Sequence, residues 1–168
     1  RDVYKRQLLH QSAPPAEIHV VDDGSTQGAY AEERDWFIRQ AALAGIYASW
    51  QRTPNEGKRH AQVHGFRKIR DADLFVTVDS DSMLDAEALH EIVQPFSDPR
   101  VMSVAGVILA INNRENLLAR VTDVIFVGQQ LIDRSFMSQL GSVMVNSGGL
   151  AAYRCSILAE NIDTCLLY

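Results

Sequence analysis

The sequence predicts an α/β fold in which helices flank a largely parallel sheet. Short runs of β-branched and apolar residues alternate with segments whose apolar residues recur at helical spacing. Two predicted strands end in acids, at Asp22 and Asp23 and again at Asp79 and Asp81. Ligands of such sheets bind beyond the carboxyl ends of the strands. We therefore expect a ligand site where these four acids meet.

Length and composition favour one soluble globular domain. The chain has 168 residues, of which 46% are hydrophobic and 22% charged, which is ordinary for a domain with its own core. The formal net charge of −5 provides no basic field, so we expect no nucleic-acid partner. The sequence contains no run of 18 apolar residues and so predicts no transmembrane helix in this chain.

Both ends of the chain have unusual sequences. Residues 1–7 (RDVYKRQ) and 165–168 (CLLY) resemble translated sequencing adapters. The chain also begins without an initiator Met, in the middle of a predicted element. We therefore expect the folded domain to occupy residues 8–164 and to be part of a longer protein.

The first half of the chain is predicted to alternate between strand and helix. The strand EIHVVDDGST ends in two acids and a Gly-Ser turn. Trp36, Phe37, Gln40, Ala41 and Ala44 share one face of the helix that follows, and a glycine then ends it. The predicted strands are 17–26 and 46–50, and the predicted helices are 29–44 and the part of 53–70 that starts near Gly57.

The second half begins with a buried strand at 74–78. Asp85 is expected to cap the next helix, whose apolar stripe runs from Leu89 through Ile92 and Val93 to Phe96. The remaining predicted elements are a fourth strand at 101–111, a long helix with an apolar stripe within 114–137, and a strand, Gly-Gly turn and return at 142–154.

Asp79 and Asp81 occupy alternate positions after the third strand, so their side chains point the same way, about 6–7 Å apart. At that distance two like charges repel by about 0.6 kcal/mol in water and about 2.5 kcal/mol at an effective dielectric of 20. A divalent cation converts the repulsion into attraction, and Mg²⁺ or Mn²⁺ suits one or two carboxylates completed by phosphates and water. The alternative is a pair of solvated loop acids, with Asp81 helping to start the next helix.

Asp22 and Asp23 precede a turn that contains Gly24. Either carboxylate could accept hydrogen bonds from a nucleobase or ribose, and the glycine lets the chain turn sharply. The alternative is an Asx-type turn. Because both acidic strand ends are expected at one edge of the sheet, a shared ligand is favoured.

Lys58 and Arg59 fall in the first turn of a predicted helix, within the sequence NEGKRH. The positive end of a helix dipole disfavours cations there by a few tenths of a kcal/mol each. This placement is explained if an anion binds to the backbone N–H groups, Gly57 and the two side chains. The alternative is two exposed cations beside Glu56. Acids for a metal, bases for a diphosphate and an acid for a base or ribose together indicate a nucleotide-diphosphate donor.

Four segments, in their order and separation, resemble family 2 glycosyltransferases of the GT-A fold. They are EIHVVDDGST, NEGKRHAQVHGF, VTVDSDSMLDAEAL and VNSGGLAAYR, and the likeness extends over residues 8–158. The GKR and DSDS segments, with the Ser-Gly-rich turn before Tyr-Arg, resemble the processive branch of hyaluronan synthases and chitin-oligosaccharide synthases. The resemblance implies a partial GT-A (Rossmann-like) catalytic domain at 8–164.

The resemblance also implies an activity and a set of site residues. The activity is inverting transfer of N-acetylglucosamine and/or glucuronic acid from a UDP-sugar to an oligo- or polysaccharide, with Mg²⁺ or Mn²⁺ as cofactor. Asp81 would be the more direct metal ligand, with Asp79 nearer the ribose or donor sugar. The implied site residues are Asp22 or Asp23 against uracil, Lys58 and Arg59 along the donor, Asp79 and Asp81 at the metal, and Ser147, Gly148, Gly149 and Leu150 beside the donor–acceptor cleft.

Several parts of the family pattern are absent from this sequence. These are its first strand, its catalytic-base carboxylate, its Gln-x-x-Arg-Trp motif and its flanking transmembrane helices. The resemblance implies that the base and the Gln-x-x-Arg-Trp motif follow Tyr168 in the parent protein, at the cytoplasmic face of the plasma membrane. No residue of this chain is assigned as the general base, and the fragment itself is expected to be soluble and inactive as a transferase.

Two other functions are compatible with the same acids. Haloacid-dehalogenase-type phosphatases also use an Asp-x-Asp pair, with the first as nucleophile and the second as acid or base. Those enzymes have the pair on the first strand and a Thr or Val two residues after the second Asp, where this chain has Met83. A non-catalytic nucleotide-binding domain is the other alternative, although a relaxed site has little reason to keep like charges paired.

Overall fold

The computed structural model describes residues 2–26, 30–111, 116–143, 146 and 149–166. Strand and helix alternate through the first half, as predicted. The strands are β1 (Glu17–Asp23), β2 (Tyr47–Thr53), β3 (Leu74–Val78), β4 (Ser103–Ala105) and β5 (Leu150–Arg154). The helices are α1 (Asp2–Leu9), α2 (Tyr30–Leu43), α3 (Lys58–Phe66), α4 (Ala88–Val93), α5 (Leu117–Gly128), α6 (Arg134–Gln139) and α7 (Cys155–Leu166), with a 3₁₀ turn at Gln94–Ser97 and a π-helical turn at Gln129–Asp133.

The strands of the described residues form two groups. Strands β1 and β2 pair in parallel, with Glu17 opposite Tyr47 and Asp23 opposite Thr53. Strand β5 lies between β3 and β4 and runs antiparallel to both. The first residue of β5, Leu150, is opposite the last residue of β3, Val78. The predicted α/β class is thus confirmed. The parallel arrangement holds for β1 and β2, and the pairing around β5 is antiparallel.

Two apolar clusters form the core of the part of the chain that the structure describes. Ile18, Phe37, Ala41 and Ile46 pack between β1 and α2, and Phe37 and Ala41 have no solvent-exposed surface. The second cluster lies between α4 and β5 and contains Leu89, Ile92, Phe96 and Ala152. Both clusters contain residues of the predicted helix faces, which confirms the helical spacing from which those faces were inferred.

Helix α1 includes residues 2–7, which lie before the domain start expected at residue 8. The Gln7 amide donates to the backbone oxygen of Ser82 at 2.6 Å, and its oxygen accepts from the N–H of Leu84 at 2.8 Å. Helix α1 is therefore tied to the loop that follows β3. The domain limits of 8 and 164 stay predictions.

The predicted N-cap of α4 is wrong. The helix begins at Ala88, with Glu87 at the cap position. The Asp85 carboxylate accepts a hydrogen bond from the Glu87 N–H at 3.0 Å. It therefore closes the turn that precedes the helix and is not available to cap the helix itself.

The predicted fourth strand, 101–111, is shorter than expected, because β4 ends at Ala105. Gly106 still donates to the oxygen of Leu150 at 2.9 Å. Beyond it the backbone binds side chains of α5 and the π-helical turn: Ile108 N–H donates to Gln130 at 2.8 Å and Ala110 N–H donates to Asp123 at 2.8 Å. The described residues of 142–146 likewise form no strand, so the return strand is the part of the predicted 142–154 pair that the described residues contain.

Helical structure continues from Leu117 to Gln139, as the long helix predicted, but its apolar stripe faces solvent. Leu117, Val124 and Ile132 are 76%, 71% and 70% exposed. The opposite, polar side faces the chain around residues 108–110 because Asp123 and Gln130 bind the backbone there. Among the helices of the described residues, none combines the length and apolar character that crossing a membrane requires.

Candidate functional site

Asp79 and Asp81 follow β3 in a loop that other segments hold in place. The Asp79 N–H donates to the oxygen of Gly149 at 3.1 Å, which extends the β3–β5 ladder by one residue. The Asp79 oxygen accepts from the N–H of Ser82 at 3.1 Å, which closes the turn around Asp81. The Asp79 side chain is 32% exposed and Asp81 is exposed, so both carboxylates reach solvent.

Lys58 joins the α3 motif to the acids after β3. Its ammonium forms an ion pair with the Asp79 carboxylate, although the lysine side chain is still 52% exposed. Lys58 is the first residue of α3, which packs against β1. The structure therefore brings two of the predicted motifs into direct contact.

Asp23 ties the third motif to the same place. One of its carboxylate oxygens accepts from the N–H of Glu56 at 2.9 Å, and the other accepts from the N–H of Gly57 at 2.9 Å. These two charge-assisted hydrogen bonds hold the turn before α3 rigidly. The side chain of Asp23 thus fixes the position at which α3 begins, at Lys58.

Asp22 lies deeper and binds different partners. Its side chain is 7% exposed, and Oδ1 accepts from the N–H of Ser25 at 3.0 Å. This Asx-type contact is the alternative that the sequence left open for this turn. Oδ2 lies 3.7 Å from Nε of Arg52, and the same guanidinium donates to the oxygen of Ser25.

Gly24 is required at the turn between these acids and Asn55. It has a φ of +72°, and a Cβ at this position would lie 2.7 Å from the backbone nitrogen of Asn55. No other residue offers both the left-handed backbone and this close approach without strain. The glycine thus lets the turn after β1 pack against the turn before α3.

Two further predicted residues lie beside these motifs. Arg59 follows Lys58 in α3 and is exposed. A Cβ on Gly149 would lie 2.7 Å from Cδ1 of Ile108 and 3.5 Å from Oγ of Ser82. Gly149 therefore lies beside the loop of the acids.

Leu150, which the resemblance places beside the donor–acceptor cleft, is the first residue of β5, and the structure does not place the other predicted positions. Ser147 and Gly148 lie outside the described residues, and so does Tyr168, beyond which the resemblance implies the general base. The position of that base stays a prediction. None of the site residues described above is assigned as the general base.

Comparison with known proteins decides the family. The model of "Glycosyl transferase family 2" matches residues 6–162, nearly the whole chain. This chain belongs to glycosyl transferase family 2. The match runs across all of the site segments described above.

Individual relatives agree with the family match. A hyaluronan synthase of Streptococcus pyogenes is 34% identical over 159 residues, which are 94% of this chain and 38% of that protein. An N-acetylglucosaminyltransferase of Azorhizobium caulinodans is 33% identical over 150 residues, 86% of this chain and 35% of that protein. One of Bradyrhizobium diazoefficiens is 33% identical over 153 residues, 88% of this chain and 30% of that protein. The chain thus spans about a third of the length of these relatives.

Family 2 glycosyltransferases generally use a divalent metal, and the carboxylates after β3 suit a hard cation. Within the described part of the chain, no group of three or more His, Cys, Asp or Glu side chains is close enough to hold a metal ion. Zinc, which takes three or four protein ligands, does not match this donor set. Mg²⁺ or Mn²⁺ does, since these ions bind one or two carboxylates and complete their shell with water and phosphate oxygens.

The far end of β5 is held by a cationic side chain. Arg154 donates to the backbone oxygens of Val101, Phe96 and Asp98 at 2.8 to 3.0 Å. Hydrogen bonds from the Arg100 side chain and backbone lower the pKa of Asp98 from 3.8 to about 2. These bonds order the turn that anchors β5, the strand that presents Gly149 to the acids.

Sequence reasoning missed Arg52. Its position opposite Asp22 follows from the parallel register of β1 and β2. A signal was present, because Arg52 lies shortly after one predicted strand and Asp22 lies near the end of the preceding strand. Only a predicted register converts that signal into a contact, and strand boundaries alone do not give one.

Proposed function

We propose that the parent protein is an inverting, metal-dependent glycosyltransferase that transfers a sugar from a UDP-sugar to a growing oligo- or polysaccharide. The observation that carries the proposal is the Lys58–Asp79 ion pair, because it joins the cationic motif to the acidic motif. The name of two relatives, N-acetylglucosaminyltransferase, favours N-acetylglucosamine as the transferred sugar, and the resemblance noted in the sequence adds glucuronic acid as a candidate. The parent protein would lie at the cytoplasmic face of the plasma membrane, with membrane attachment supplied by segments outside this chain.

The acids and cations divide the donor between them. Asp81, which is exposed, would ligate Mg²⁺ or Mn²⁺ directly, and Asp79 would lie nearer the ribose or donor sugar while sharing the ion. Lys58, Arg59 and the N–H groups at the start of α3 would bind the diphosphate. The cation, when bound, stabilises the negative charge that develops on the departing diphosphate.

Asp23 is the better placed of the two β1 acids to contact uracil. Its side chain is less buried than that of Asp22, and each of its oxygens keeps a lone pair after accepting one N–H bond. Asp22 is shielded from solvent and paired with Arg52. Ser147, Gly148 and Gly149 would border the cleft where donor and acceptor meet.

In the transfer step, an acceptor hydroxyl oxygen attacks the anomeric carbon from the face opposite the diphosphate. The new C–O bond forms as the bond to UDP breaks, and the hydroxyl proton passes to a carboxylate base. The residues of this chain bind and orient the donor for that attack. The base is not assigned to any residue up to Tyr168, and we expect the isolated chain to bind UDP without transferring sugar.

Metal-dependent UDP binding tests the proposal. Titration of the chain with UDP by calorimetry should show binding in Mn²⁺ that EDTA abolishes. Asp81→Ala should weaken binding at least about tenfold, the loss of about 1.4 kcal/mol expected for one charged ligand. Asp71→Ala, which removes an exposed acid before the other end of β3, is the control and should leave the affinity unchanged. Equal affinity for Asp81→Ala and the unmodified chain would count against the proposal.

A further inference from the structure

Lys58 holds the carboxylate that the proposed cation needs. Its ammonium pairs with Asp79, one of the two acids assigned to the metal. We propose that Lys58 is a placeholder cation, which neutralises Asp79 before the metal arrives and moves to the diphosphate when the metal and nucleotide bind. This inference rests on the proposed function, because the exchange requires a metal and a diphosphate at this site.

Hydrogen bonds hold the backbone beside both partners of the ion pair, so that the two side chains lie within reach of each other. Asp23 holds the N–H groups of the two residues before Lys58, and the Asp79 N–H is bonded to Gly149. The lysine stem, in contrast, is 52% exposed. A half-exposed, four-carbon stem can carry the ammonium away from Asp79 without any movement of α3.

Electrostatics explains both the pairing of Lys58 with Asp79 and its displacement by a divalent cation. Asp79 and Asp81 are neighbouring acids of one loop, and the Lys58 ammonium offsets the negative charge of Asp79 when no divalent cation is bound. An exposed pair of this kind is weak, so a divalent ion, which carries twice the charge, can displace the lysine. The displaced ammonium lies at the N-terminus of α3, where the helix dipole disfavours a cation alone but favours a bound anion.

The exchange predicts opposite effects on two affinities. Removal of the ammonium should strengthen binding of the metal alone, because the metal no longer competes with Lys58 for Asp79. The same change should weaken binding of UDP in saturating metal, because the diphosphate loses a cationic partner. A lysine with a purely structural role would not move the two affinities in opposite directions.

The experiment compares Lys58→Gln with Lys68→Gln, an exposed lysine just beyond the other end of α3, in the intact chain. Binding of Mn²⁺ alone is measured by electron paramagnetic resonance, and binding of UDP in saturating Mn²⁺ by calorimetry. For Lys58→Gln we expect Mn²⁺ to bind at least about threefold tighter and UDP at least about threefold more weakly. Lys68→Gln should change neither affinity, and circular dichroism should show that both variants fold.

The outcomes separate the two proposals. If Mn²⁺ binds Lys58→Gln no more tightly than the unmodified chain, or binds neither, the placeholder role is overturned. The proposed function is still supported if the unmodified chain binds UDP in Mn²⁺ and loses that binding in EDTA. Absence of metal-dependent UDP binding in the unmodified chain overturns the proposed function and, with it, the transfer of Lys58 to a diphosphate.

Discussion

Asp22 and Arg52 face each other across the parallel pair of β1 and β2, with Arg52 Nε 3.7 Å from Asp22 Oδ2. The acid is buried and the guanidinium is mostly exposed, at 7% and 57% of their side-chain surfaces. The arginine also donates to the oxygen of Ser25. It therefore closes the turn after β1 from the side of β2 and holds the buried carboxylate in place.

Replacement of Arg52 by Met should destabilise the chain by about 1 kcal/mol, because the buried Asp22 carboxylate loses this ion-pair partner and the Ser25 oxygen loses its guanidinium donor. Urea denaturation followed by circular dichroism measures the change. Arg39→Met removes an exposed arginine from α2 and should alter stability by less than about 0.5 kcal/mol. Equal stabilities for the two variants would contradict the role assigned to Arg52.

Asp23→Asn should weaken the hydrogen bonds that hold the turn before α3, at Glu56 and Gly57. The asparagine side chain offers one acceptor oxygen and places an N–H₂ group where the second acceptor stood, so one of the two N–H bonds is lost. We expect a destabilisation of about 1–2 kcal/mol. Hydrogen exchange measured by NMR should become faster at the amides of Glu56 and Gly57.

The control for this change is Asp35→Asn, at an exposed acid of α2 that pairs with Arg34. It should leave stability and both amide exchange rates unaffected. Unaltered exchange at Glu56 and Gly57 in Asp23→Asn would show that the carboxylate does not anchor the start of α3.

Truncation of Phe37 should be the most damaging single change in the first core cluster. Its side chain has no exposed surface and packs edge-to-face against Trp50, at 6.2 Å between ring centroids. Phe37→Ala should cost about 3–5 kcal/mol in the free energy of unfolding. Phe136→Ala, at a residue 65% exposed, should cost less than about 0.5 kcal/mol. Similar losses in the two variants would place the core elsewhere.

The carboxyl of Asp98 should titrate near pH 2 in the folded chain, below its usual 3.8, because the Arg100 side chain and N–H donate to it. A lowered folded-state pKa stabilises the fold above the unfolded-state pKa, and that contribution is lost as the pH falls from about 4 towards 2. Arg100→Ala should raise the pKa of Asp98 towards 3.8, as read from its carboxyl carbon by NMR. The same pKa in both chains would refute the assigned cause.

The amino-acid sequence determined the local structure of this protein. The faces that contain Phe37 and Ala41 in α2 and Leu89 and Ile92 in α4 follow from helical spacing, because the apolar residues at that spacing pack into the core in these two helices. The acids at the ends of β1 and β3 could be recognised for a related reason. In an α/β protein, closely spaced acids at the carboxyl end of a strand rich in β-branched residues predict a ligand site at that edge of the sheet. This prediction does not require knowledge of how the other strands pair.

Only the tertiary structure decided which of these residues meet. Asp23 binds the N–H of Gly57, 34 residues away, and Lys58 pairs with Asp79. Arg52 reaches Asp22 through the register of two strands, and β5 runs antiparallel where a parallel sheet was expected. Such contacts depend on the direction and register of distant segments, which no local pattern specifies, because they are set when the whole chain closes around its core.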